Sequence, residues 1–162
     1  MTPRRTAARA AFTPPSTTYR TDEQIESLVD AALGTAMRRQ LWLMFFDDGH
    51  RPKPLVIPVD ALPHPLDDAA LTRVAVFARE AGMWVGARRV VVTWERPGPA
   101  EVTAEEEREF DRLAERFAAT PDVSLRAQLV SHSVGVRLVR PSPVAAAATA
   151  ATATPSQAAR AG

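Results

Sequence analysis

Six consecutive residues, Leu41-Trp42-Leu43-Met44-Phe45-Phe46, are apolar. A β-strand sends alternate side chains to opposite faces, so a run of this kind has to be shielded from water on both. A second apolar run, Val90-Val91-Val92, sits within a strand expected over residues 88–94. Between them Leu71, Val74, Ala75 and Ala78 recur at helical spacing. Two doubly covered strands with a helix between them imply a sheet with helices on both sides.

The remaining elements arrange themselves around these runs. Thr21-Asp22-Glu23-Gln24 has the capping-box pattern, and Ile25, Leu28, Val29 and Ala32 continue it as a helix over 22–38. Asp47-Asp48-Gly49 reads as a turn rather than a cation loop, because the spaced oxygen ligands of such a loop are missing. Residues 55–59 form a hairpin strand, and Pro54 and Pro58 place it at an edge. The second helix opens at Asp67-Asp68 and is expected to stop at Gly82. Thr103-Ala104-Glu105-Glu106 is another capping box, opening a helix with Phe110, Leu113, Ala114 and Phe117 on its core face. Residues 123–129 alternate, with Val123, Leu125, Ala127 and Leu129 on one face. A turn at 131–135 then leads to a last strand over 136–139. The expected fold is a single α/β domain, a mixed sheet with flanking helices in the order αββαβαββ.

The two ends differ from the middle. Residues 1–20 carry Arg4, Arg5, Arg9 and Arg20 and no acid, and residues 141–162 are nearly all Ala, Thr, Pro and Ser. Neither end can bury enough apolar surface to offset its ordering entropy, so a disordered basic arm and a disordered tail flank a domain over 21–140. That domain holds 15 Lys and Arg against 19 Asp and Glu, a net charge of −4. An acidic folded part argues against a dedicated nucleic-acid binder. With no Cys there is no disulfide, thiolate metal site or thiol nucleophile. No apolar run is long enough to span a membrane, and no apolar segment near the N-terminus reads as a signal peptide, so the expected location is cytoplasmic.

Chemistry is best sought where the third strand enters a loop, Trp94-Glu95-Arg96-Pro97-Gly98, ahead of the Thr103 cap. From Leu41 to Val139 the chain resembles the RadC type of JAB/MPN domain, a metalloprotease-like fold. In that family the corresponding strand ends in His-x-His-Pro, and a Gly/Pro loop leads to Ser-x-x-Asp at a helix start. Here Thr103-x-x-Glu106 sits where Ser-x-x-Asp would stand, one residue early. LRAQLVSHSVGVRLV matches the closing strands.

The resemblance implies a zinc site of two imidazoles and one carboxylate with an open position for water. The two histidine positions are occupied by Trp94 and Arg96, neither of which can ligate a metal. Glu106 alone keeps a potential ligand. A degenerate, non-catalytic domain without metal or cofactor follows, acting in protein binding or regulation. Trp94 either plugs the former cleft or lines a partner site. A rearranged hydrolase site using Glu95, Glu106 and His132 is one alternative. An accessory role in DNA transactions is another. The glutamates at 101, 105, 106, 107 and 109 read as an acidic first turn facing the helix dipole.

Overall fold

In the computed structural model, which describes residues 17–140, eight elements follow one another. They are α1 (Asp22–Leu33), β1 (Gln40–Phe46), β2 (Pro52–Val59), α2 (Asp68–Trp84), β3 (Arg89–Glu95), α3 (Ala104–Ala118), β4 (Ser124–His132) and β5 (Gly135–Arg140). This is the αββαβαββ order expected from the sequence. The five strands make one mixed sheet in the order β2-β1-β3-β4-β5. Only β3 and β4 run parallel, joined through α3; the other neighbours are antiparallel.

The sheet separates two apolar clusters. Leu41, Leu43, Phe45, Val90, Val92 and Trp94 face α2 and α3. Trp42, Met44, Phe46 and Val91 face α1, packing on Ile25, Leu28, Val29 and Leu33. Every residue of β1 is buried, as its unbroken apolar run requires.

Several boundaries differ from the sequence reading, each for a local reason. The first helix stops at Leu33, because Gly34 adopts φ +63° and its N–H caps the Asp30 carbonyl at 2.8 Å. Gly82 does not end α2. It is buried within the helix, where an added Cβ would lie 2.9 Å from Val123 Cγ2. The stop comes at Gly86, φ +66°, in a Schellman motif: Gly86 N–H donates to the Met83 carbonyl and Ala87 N–H to that of Gly82. In β4 the expected single face is split. Val90 pairs with Leu125 but Val91 with Ala127, so Arg126 is the extra residue of a bulge. Leu125 therefore packs toward α2 and α3, whereas Ala127 and Leu129 pack toward α1.

Both sheet edges are protected. Pro54 and Pro58 remove backbone donors from β2. On β5 the Leu138 N–H donates to Glu26 Oε2 of α1 at 2.7 Å. Tyr19 and Arg20, placed by the sequence reading in the arm, belong to the fold. Tyr19 N–H donates to the His50 carbonyl at 2.8 Å, and Arg126 donates to the Arg20 carbonyl at 3.0 Å while pairing with Asp22 at 2.7 Å. The expected disordered segments otherwise lie outside the described residues, at 1–16 and 141–162. Among the described residues no helix is long and apolar enough to cross a membrane.

Candidate functional site

Beyond β3 the backbone stays attached to β4, with Arg96 N–H donating to the Ser131 carbonyl at 3.0 Å. Gly98 and Ser133 then exchange hydrogen bonds, the Gly98 N–H to Ser133 Oγ and the Ser133 N–H to the Gly98 carbonyl. This folds the 96–101 loop back toward the N-terminus of α3. A cavity of about 40 Å³ opens between the end of β3, the start of α3 and the loop before α2. Trp94, Arg96, Glu106, Glu109, Phe110 and His64 are among its lining residues. That space admits a few water molecules, at about 10–15 Å³ each.

Arg96 is the centre of this region, and four of its five guanidinium N–H groups find acceptors. Nε donates to Glu106 Oε1 at 2.6 Å, and the terminal nitrogens donate to the Pro99 and Glu101 carbonyls and to Glu106 Oε2. The same carboxylate completes the α3 capping box by accepting the Thr103 N–H at 2.9 Å. Burial pushes the Glu106 carboxyl up. The Arg96 hydrogen bond, the Thr103 N–H and the Arg96 charge outweigh that and hold it below the usual carboxylate range.

Trp94 is anchored rather than open. Its indole N–H donates to Gln128 Oε1 at 3.0 Å, and its ring lies against Phe110 with centroids 5.1 Å apart. Gln128, wholly buried, donates in turn to the Phe110 carbonyl at 2.8 Å. The sequence reading passed over this glutamine, although a polar residue inside Arg126-Ala127-Gln128-Leu129-Val130 is the signal that marks it. The sequence pattern places Glu109 in an acidic first turn facing the helix dipole. It is instead buried and accepts the Leu66 N–H at 2.6 Å. Its place one residue before Phe110, three after Glu106, puts it at the inner margin of the core face.

Glu95 also lines the cavity, but its carboxylate is not bonded to this group. Alternation along β3 turns its carboxylate to the α1 side, where it accepts from Gln40 Nε2, from the Trp42 indole at 2.7 Å, and from the Met37 and Arg38 N–H groups at 2.6 and 3.3 Å. Burial pushes this carboxyl up as well, but the donors led by Gln40 hold it below its ordinary range. Residues 36–38, expected to be helical, serve here as an unwound strap. Ala36 N–H is held by the His132 carbonyl at 2.9 Å, and the next two amides point at Glu95. His132 is buried at the end of β4, and its Nδ1 accepts the Val134 N–H. Neither Glu95 nor Glu106 hydrogen-bonds to it. The structure thus brings Trp94, Arg96 and Glu106 to one rim and turns the Glu95 carboxylate away from them, toward Gln40 and Trp42. Among the described residues no group of three or more His, Asp or Glu side chains is placed to hold a metal ion.

The other histidines serve local structure. Arg89 NH1 lies 2.8 and 2.9 Å from the two ring nitrogens of His50. Partial burial, then the Arg89, Arg20 and Arg126 charges, lower the pKa of His50. His64 approaches Arg39 at 3.4 Å on the exposed rim of the cavity.

Comparison with protein-family models returned no match to this chain, and neither did comparison with curated proteins.

Proposed function

We propose that this chain is a non-catalytic binding or regulatory domain on a degenerate RadC/JAB-type core, acting in the cytoplasm through a protein partner. The observation that carries this reading is the engagement of Arg96, four of whose five N–H groups are hydrogen-bonded. Its donors are spent on Glu106 and two backbone carbonyls, and Glu106 is spent on Arg96 and the helix cap. A general base or nucleophile needs a group within reach of substrate and free to exchange a proton. At this rim Arg96 and Glu106 are committed to each other. In the resemblance to the metal-bearing family, the guanidinium supplies the positive charge that zinc would supply, and the carboxylate stays as its partner.

The separation of Glu95, Glu106 and His132 speaks against the rearranged hydrolase site. The net charge of −4 on residues 21–140 speaks against a nucleic-acid surface. The test is zinc loading of the full chain followed by dialysis and elemental analysis. Zinc well below one equivalent is the expected result. One equivalent, lost on Glu106→Ala, would restore the enzyme reading.

A further inference from the structure

α2 buries Ala70, Leu71, Val74, Ala75, Ala78 and Gly82 against the sheet and α3. Its opposite side is not the polar face expected of a surface helix. Val76, Phe77, Met83 and Trp84 are 42, 43, 51 and 83 % exposed. They recur at the helical spacing of one stripe, with Arg73 and Glu80 the charged residues between them, both exposed. Neither Arg73 nor Glu80 forms an ion pair among the described residues.

We propose that this stripe is the contact of a two-fold homodimer, in which α2 packs antiparallel on α2 of a second copy. The proposal rests on the non-catalytic binding reading and names its partner. Its ground is self-complementarity. When two α2 helices run antiparallel about a centre between Val76 and Phe77, Val76 of each meets Phe77 of the other. Arg73 of each meets Glu80 of the other, twice by symmetry. Ala69, exposed and small, meets the large exposed Trp84. A two-fold axis requires this reciprocity, and this face carries it in shape and charge together. The sheet edges offer no competing route, since Pro54 and Pro58 blunt one and Glu26 caps the other. One pair of 17-residue helices, about 25 Å long, gives a contact at the small end of the range, so the dimer is of the weak, concentration-dependent class.

Sedimentation velocity of the full 162-residue chain across about 1–200 μM, a range suited to small interfaces, tests this. Reversible monomer–dimer exchange is expected. Phe77→Asp should weaken it at least about tenfold, as removal of a central anchor does. Arg73→Glu and Glu80→Arg should each be monomeric, because both reciprocal contacts become like-charged. Mixed one to one, the two variants should dimerise, since every contact across that pair is then opposite in sign. All these positions are exposed, so folding is expected to persist, checked by circular dichroism. A wild-type chain monomeric throughout overturns the dimer, whether a different protein or the chain's own residues 141–162 cover the stripe. Association unchanged by Phe77→Asp, or charge variants that fail to combine, also overturns it. None of these results touches the zinc measurement, which decides the non-catalytic reading separately.

Discussion

Replacing Glu95 by Gln preserves shape and removes one charge from a buried site. The carboxylate accepts four hydrogen bonds, from two backbone amides, one side-chain amide and one indole. In the variant, the oxygen facing Met37 and Arg38 is kept. The new NH2 faces Gln40 and Trp42. Gln40 can rotate and present its Oε1, a buried atom with no partner in the wild type. The Trp42 indole has no such freedom and meets a donor instead of an acceptor. Turning three charge-assisted bonds into neutral ones costs about 1 kcal/mol each, and removing the indole's acceptor adds about 1–3 kcal/mol. The sum is about 4–6 kcal/mol against a total stability of about 5–15 kcal/mol. Urea denaturation followed by far-UV circular dichroism reads it directly. A double-mutant cycle with Trp42→Phe should show a coupling of about 1–2 kcal/mol, since the two groups share one bond. A loss under about 1 kcal/mol for Glu95→Gln, within the range of surface changes, would mean that water reaches this carboxylate and the strap over residues 36–38 is not closed on it.

Two further perturbations probe the frame. Gly82→Ala should destabilise by about 1–2 kcal/mol, because overpacking against Val123 and Phe45 exceeds the gain in helix propensity; an equal or higher urea midpoint would refute the close packing. Acidification should weaken the fold through Glu95 and Glu106. Both have folded pKa values below the unfolded one, near 4.3, so their stabilisation is full above that value and lost as pH falls through the folded values. Chemical denaturation from pH 6 to pH 3 should show this loss, and Glu95→Gln should flatten its slope.

Strand identity was legible wherever composition alone decides it. LWLMFF and VVV can be buried only inside a covered sheet, and both capping boxes form as their spacing requires. The edge position of β2 followed from its prolines. Features that depend on partners distant in sequence were not legible. The bulge at Arg126 comes with an ion pair to Asp22, 104 residues earlier, and a regular alternation gives no sign of it. Gly82 resembles a helix stop until Val123 is seen against it. Of the candidate residues, Trp94, Arg96 and Glu106 meet because a strand, a short loop and a capped helix place them on one rim. Glu95, the neighbour of both Trp94 and Arg96, turns its carboxylate away from them because strand residues alternate. Glu109 and Gln128 were hidden by being polar, and their buried hydrogen bonds appear only with Leu66 and Phe110 in place.

The central claim is that Trp94 and Arg96 occupy the ligand positions of a metal site whose carboxylate, Glu106, remains. Converting both, Trp94→His with Arg96→His, tests it most directly. The double variant is first matched to the wild type by circular dichroism, because Trp94 also contributes packing against Phe110. Zinc is then titrated by calorimetry into wild type, the double variant and the double variant carrying Glu106→Ala. The account expects saturable one-to-one binding in the double variant alone, lost in the triple. A folded double variant with no more zinc affinity than the wild type would contradict it and leave the Arg96–Glu106 pair an ordinary loop-to-helix ion pair.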